Sequence, residues 1–357
     1  MLLWALASLF PAKVLPADGY PADRAGSLRF EVVVATTTAL AWRAWTSDTA
    51  VQAFFPGIGP GQTRIRLEPD GPYEFFFLPD NPEGSRGCDE CRILGWEEGR
   101  VLSFTWSNRP DMAVRGLKTH VTLRFSPLDG GMTLLHFEQG GFGSSADWQV
   151  AYDYFTNTWP KVLDAFARHV DEDTAGMVIP VVDANALQIA TAADETDERQ
   201  VAAELSGHLD EPGMSRWIFT PVVIIDASTQ IPHSHPRLTL NTRDRGDLLI
   251  ADFVHEQSHW LAAANEARVG AAVADLRKLF PDLPRQPPEG ANGDHSSYLH
   301  LIICSWEYQA LREIVGARRA QATLRYWSTH HYRSIYRIVL EQQEPLLAIL
   351  RRHGLVR

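Results

Sequence analysis

Tyr154-Phe155-Thr156-Asn157-Thr158-Trp159-Pro160-Lys161-Val162-Leu163 sits in the stretch that decides the architecture of the first half of this 357-residue chain. It belongs to a longer run, Ser145 to His169, in which Trp148, Tyr152, Phe155, Trp159, Val162, Leu163 and Phe166 recur every three or four residues. That spacing places them on one face of a single long helix. Upstream, six runs read as strands: Gln62 to Leu67, Tyr73 to Leu78, Glu90 to Glu97, Val101 to Ser107, Thr119 to Ser126 and Met132 to Gln139. Turn sequences such as Asp70-Gly71-Pro72 and Asp129-Gly130-Gly131 separate them. A helical segment, Ala39 to Phe54 with Trp42 and Trp45, precedes them, and the β-like run Leu28-Arg29-Phe30-Glu31-Val32-Val33-Val34 opens the half. One helix laid across a curved antiparallel sheet encloses a space between them. Phe75, Phe77, Phe104, Trp106 and Trp148 are candidates to line an apolar ligand pocket there, and aromatic residues of this kind also build solid cores.

This order, β-αα-β6-α, is accompanied by Arg100-Val101-Leu102-Ser103-Phe104-Thr105-Trp106, by Gly140-Gly141-Phe142-Gly143 and by the helix quoted above. Together they resemble the START-like (SRPBCC) superfamily, in the branch of activator-of-heat-shock-ATPase homologues. The resemblance implies a helix-grip fold and, commonly, an apolar ligand. It does not imply chaperone activation, because fold does not fix function.

The second half carries different chemistry. His255-Glu256-Gln257-Ser258-His259 reads HExxH within Leu248 to Ala264, a stretch free of Gly and Pro and rich in apolar residues. On a helix, His255 and His259 stand one turn apart on the same face and can share one zinc ion, while Glu256 can act as general base toward a metal-bound water. Two imidazoles and a carboxylate on a largely apolar helix are costly unless paired or bound to metal. A third ligand is expected from the helix Ser297 to Leu311, which Gly316 is placed to stop. His300 and Glu307 lie seven residues apart, two turns along one face. Glu307 is taken as the ligand and His300 as the second-layer partner, with the reverse assignment left open. Oxyanion stabilisation is assigned to His331 or Tyr332, from a group that also includes His330 and Tyr336. His233 and His235 form an HxH pair read as a loop leading into a strand.

Residues 221–355 on these grounds resemble the gluzincin-type HExxH metallopeptidases, departing from them in the spacing of the third ligand and in Leu311, where that group often has an Asp. The resemblance implies a peptidase-like hydrolase. It also implies that Ser234 to Thr242 forms an edge strand to which an extended substrate adds.

The length exceeds what one compact core usually serves. The expected fold is therefore α+β, with a START-like domain over residues 28–172 and a mostly helical zincin-like domain with a small sheet over residues 177–357. The polar stretch Asp171-Glu172-Asp173-Thr174-Ala175-Gly176 separates them, and the acidic helix-prone run Ala192 to Leu209 is read as a cover for the cleft. Residues 1–27 read as a short signal peptide or an unstructured lead, which leaves both export and a cytoplasmic location open. A net charge of −11 argues against nucleic acid as a partner. No apolar run is long enough to span a bilayer. Cys88 and Cys91 form one CxxC, too few thiols for a four-thiolate zinc site and compatible with a local disulfide. Cys304 reads as a buried small hydrophobe. The expected function is zinc-dependent hydrolysis of a peptide or small molecule. The alternative is a non-enzymatic START-like protein that binds an apolar small molecule or lipid and holds a metal for structure.

Overall fold

The computed structural model describes residues 26–170, 177–182 and 187–356. The N-terminal stretch read as a leader and the polar boundary 171–176 lie outside them. β1 (Leu28–Val34) turns Leu28, Phe30, Val32 and Val34 inward on alternate positions and pairs antiparallel with β7 (Thr133–Gly140), Phe30 opposite Phe137. The sheet continues through β6 (Lys118–Pro127) and β5 (Val101–Ser107) to β4 (Ile93–Glu97), every pair antiparallel. β2 (Thr63–Ile65) and β3 (Tyr73–Phe75) are shorter than their sequence patterns and pair only with each other. The chain leaves β3 after Phe75, and Leu78 N–H turns to the Arg86 carbonyl.

The expected helix Ala39 to Phe54 is two helices, α1 (Thr38–Thr46) and α2 (Asp48–Phe54). Ser47, in an extended conformation, ends one and starts the other. α3 (Ala146–Val170) runs unbroken through a buried Pro160 and lies against β1. Between α3 and the sheet, Trp159 sits 4.5 Å from Phe137 and 5.0 Å from Trp106, centroid to centroid. Its indole N–H donates to Gln139 Oε1 at 2.7 Å. Phe75, Phe77 and Trp106 pack on one another and on Phe55, and Phe104 stacks on Tyr73 at 4.0 Å. The rings read as pocket lining thus pack against one another. Trp148 stands apart, against Phe142. A Cβ at Gly143 would fall 2.4 Å from its indole ring, which explains a glycine at the end of the Gly140–Gly143 turn. Cys88 and Cys91 are joined in a disulfide ahead of β4.

The second half holds a parallel sheet of β9 (Gln188–Thr191), β10 (Val222–Ile225) and β11 (Leu238–Leu240), with β10 central. α4 (Thr196–His208) packs on β9 and β10, and its Glu204 accepts the Gly246 N–H at the start of α5 (Asp247–Ala264). α6 (Glu266–Leu279), α7 (Asp294–Ile314), α8 (Ala317–Trp327), α9 (Arg333–Glu341) and α10 (Gln343–Arg352) follow. α7 is buried along most of its length, with α5, α6, α8 and α9 around it. Gly316, at φ 84°, makes the break between α7 and α8. The strand read over Ser234 to Thr242 is reduced to three residues. Its outer edge is occupied at Thr239, whose N–H and C=O both bond to His233 at 2.8 and 3.0 Å. Substrate addition to β11 at that residue is therefore blocked by the chain itself.

The two halves meet through polar contacts as well as apolar ones. β8 (Ile179–Pro180) adds to β1 as the outermost strand of the first sheet. The Asn265 side chain, just past α5, accepts from Val178 N–H at 2.7 Å and donates to Val178 C=O at 2.8 Å. Asp164 of α3 takes the buried Arg268 guanidinium of α6 at 2.6 Å. No helix among the described residues is long and apolar enough to cross a membrane.

Candidate metal centre

The five motif residues divide by face. Gln257 is fully buried on the far side of α5, where its Oε1 accepts from Phe219 and Thr220 N–H at 2.7 and 2.9 Å. Ser258 donates back to the Val254 carbonyl at 2.7 Å. These two anchor the helix. His255, Glu256 and His259 are left for the face toward α7, which brings His300. The three imidazoles form a triangle with centroid separations of 5.3, 5.4 and 5.2 Å. One ring nitrogen from each lies within 4.8 Å of the other two.

The outer nitrogens are held. His255 Nδ1 is 2.9 Å from Glu307 Oε2, and His300 Nδ1 is 2.7 Å from the Ser296 carbonyl one turn back on α7. A carbonyl can only accept, so His300 Nδ1 carries the proton and Nε2 keeps its lone pair. Glu307 acts in the same sense on His255. Orientation of metal-binding imidazoles by a carboxylate or a backbone carbonyl is a recurrent feature of metal sites. Burial depresses all three rings, His255 to about 4, His300 to about 3 and His259 well below its usual value, so each is neutral at pH 7.

Glu307 is completely buried and also accepts from Tyr336 Oη at 2.9 Å, while its Oε1 has no partner. It shares a second group of potential donors with His255 and Cys304, and does not join His259. The sequence reading that combined His255, His259 and Glu307 in one ligand set is therefore not the grouping the fold brings together; His300 completes the set with both motif histidines. Cys304 is buried and free.

Glu256 sits beside the triangle, its carboxyl raised to about 8 by burial and by Glu307 and held back in part by Ser234. Ser234 Oγ also lies 2.9 Å from His235 Nδ1, and its carbonyl accepts from Trp260 Nε1 at 3.0 Å. No sequence signal marked Ser234, because its loop approaches α5 only in three dimensions. Asp252, one turn before Glu256, is also raised, by burial and by neighbouring Asp244.

Tyr332 reaches the site from the start of α9, its ring 4.4 Å from His300 and parallel to His255 at 6.2 Å. Its backbone is in the left-handed region at φ 47°, a strained conformation for a tyrosine and one that clusters at functional sites. His331 packs between Trp327 and Tyr332 and is lowered to about 4 by burial. His330 turns away, its Nδ1 on the Tyr326 carbonyl. Tyr336 points inward to Glu307, behind the histidines.

A family model matches residues 35–171, that of Activator of Hsp90 ATPase homolog 1-like protein. The N-terminal half is thus similar to the Activator of Hsp90 ATPase homolog 1-like proteins. Solved structures similar to the chain include protein MLL2253 from Mesorhizobium loti, 19% identical with a TM-score of 0.32 over 41% of this chain and 98% of that one. CalU16 from Micromonospora echinospora is 20% identical with a TM-score of 0.30, over 43% and 83%. PFC0360w, an HSP90 activator from Plasmodium falciparum, is 14% identical with a TM-score of 0.30, over 37% and 86%. No curated protein matches the chain.

Proposed function

We propose that the second half is a metal-dependent hydrolase, peptidase-like, with zinc on His255, His259 and His300. The reading is carried by the triangle of three neutral imidazoles, two buried and His259 half-buried, two of them with the outer nitrogen already committed to an acceptor. Three converging lone pairs out of water are unfavourable without a cation, and three protein nitrogens with a fourth position left open suit a catalytic zinc site. A bound zinc would polarise a carbonyl and lower the pKa of water there.

The residues around the triangle supply the rest. The charge of a bound zinc would favour the ionised form of Glu256, which would then accept the proton of the attacking water and return it to the leaving group. Ser234, in the loop beside Glu256, favours its ionised form. Tyr332, its hydroxyl kept protonated by burial, donates to the oxyanion that develops on the substrate carbonyl. Glu307, shared by His255 and Tyr336, fixes the ring of His255.

Elemental analysis of purified protein beside His259→Ala and His300→Ala tests the site. Zinc bound stoichiometrically to wild type and lost in both variants is expected. Folded wild type that takes up no zinc when supplied with it would remove the proposal. Glu256→Gln keeps the metal and loses turnover; hydrolysis retained in that variant would sink the mechanism.

A second reading has the START-like half as the working part, binding an apolar ligand or a chaperone partner, with the metal serving stability. The family match over residues 35–171 favours it. It predicts unfolding on chelation and no hydrolysis of any peptide.

A further inference from the structure

Behind the triangle lies a second set of potential donors, and one of them, the Cys304 thiol, has no part in the proposed reaction. Cys304 and Glu307 stand three residues apart on α7, hence on one face, and His255 of α5 meets them there. One donor atom from each of the three lies within 4.8 Å of the other two. All three residues are buried, Cys304 and Glu307 completely. We infer that His255, Cys304 and Glu307 form a second metal site, closed to solvent, for a thiophilic divalent cation of the zinc type. The site shares His255 with the triangle yet requires neither hydrolysis nor an ion in the triangle.

Three observations carry it. Glu307 Oε2 accepts from Tyr336 Oη and lies 2.9 Å from His255 Nδ1, but Oε1 of the same carboxyl has no hydrogen-bond partner. A fully buried oxygen left without a partner is costly, and a cation beside it removes that cost. The second observation is the chemistry of the donors. Thiolate, imidazole and carboxylate are all zinc ligands, and the thiolate favours a soft or borderline ion over magnesium or calcium. The thiolate and the carboxylate bring two negative charges to a divalent ion, which suits a site out of water; the three neutral rings of the triangle bring none. The third is enclosure. Tyr336, itself buried, stands on the α9 side, whereas the triangle includes half-buried His259. Closed sites are the structural kind and open ones the catalytic kind. An ion entering here replaces the His255–Glu307 hydrogen bond with coordination, and the protons of the Cys304 thiol and of His255 Nδ1 leave to solvent. With that bond to break, this is the weaker of the two sites, filled by metal supplied to the protein rather than carried through purification.

Cobalt(II), added without oxygen to the metal-free full chain, tests the site by absorption spectroscopy. A thiolate bound to cobalt gives an intense charge-transfer band in the near ultraviolet, which nitrogen and oxygen ligands do not. Cys88 and Cys91 are joined to each other, so the band reports Cys304. The expected result is a band that grows with added cobalt in wild type and in His300→Ala, and is absent from Cys304→Ser, which binds one cobalt fewer per chain. Folded wild type that binds no cobalt, or binds it without the band, would overturn the inference, and so would a band that survives Cys304→Ser. Cobalt bound without the band and lost in His300→Ala would leave the triangle standing alone. A band at unchanged cobalt content in His300→Ala would instead remove the triangle and uphold this site. The wild-type spectrum decides without the variants, so a variant that fails to fold does not shield the inference.

Discussion

Glu307→Gln separates a metal ligand from a group that merely orients one. Glu307 Oε2 is 2.9 Å from His255 Nδ1 and 2.9 Å from Tyr336 Oη, and the side chain is fully buried. Glutamine preserves the shape and one acceptor oxygen, so His255 keeps its orientation but loses the carboxylate that makes it a better donor. Losing such a partner weakens metal binding by roughly 10–100-fold. At saturating zinc, each tenfold loss removes about 1.4 kcal/mol of ligand-linked stability, so the holo protein should lose about 1.4–2.7 kcal/mol. The metal-free protein should change little, because burial raises the Glu307 carboxyl to about 8 and already keeps it neutral at pH 7. Competition with a chelator of known affinity measures the first quantity, and urea unfolding with and without zinc measures the second. His300→Ala, by contrast, should abolish stoichiometric binding. If Glu307→Gln eliminates zinc as completely as His300→Ala does, or if His300→Ala leaves affinity untouched, the assignment of His300 inside and Glu307 behind is wrong.

Other outcomes follow from the same geometry. Tyr332→Phe should lower turnover by about 10²–10³ with zinc content unchanged, read by steady-state kinetics on any substrate found; an unaltered rate would relieve Tyr332 of its role. Asp164→Ala strands the buried Arg268 guanidinium and should cost about 3–5 kcal/mol in urea unfolding. A loss below 1 kcal/mol would mean that Arg168, also 3.0 Å from Asp164, or water compensates. Asp89 feels burial, which raises its carboxyl, but hydrogen bonds from the Arg86 side chain and backbone hold it below the usual value. Its contribution is therefore present above the unfolded carboxylate pKa of about 3.9 and lost as pH falls through the lower folded value. Asp89→Asn should be less stable than wild type at pH 7, with the gap narrowing in acid; a gap independent of pH would exclude this linkage.

Several elements were legible before any coordinates. β5 spans the predicted Val101 to Ser107 because its alternation is unbroken, and α5 matches the Gly- and Pro-free run to within one residue. The helix and strands of the first half are carried by strong periodicity and clear turns. The break at Ser47 was hidden, since Ala39 to Phe54 is apolar on both sides of it. Residues seven apart share a helix face, which is why His300 and Glu307 were both found. Which of them meets His259 depends on how α7 crosses α5, and no one-dimensional pattern encodes a crossing. Ser234 approaches α5 from a distant segment, and Phe75, Phe77, Phe104 and Trp106 are likewise brought against one another from strands and turns far apart in the chain.

The junction at Asn265 has a broader consequence. Its amide closes both hydrogen bonds of Val178 at the end of the motif helix, while Arg268, three residues on, is neutralised by Asp164 across the boundary. Cutting the chain between the halves would leave Asp164 with Arg168 alone in one piece and strand the Arg268 guanidinium in the other. The halves are thus partners in a single melting event, and a calorimetric scan of the intact chain should show one cooperative transition where two modules strung on a linker would show two.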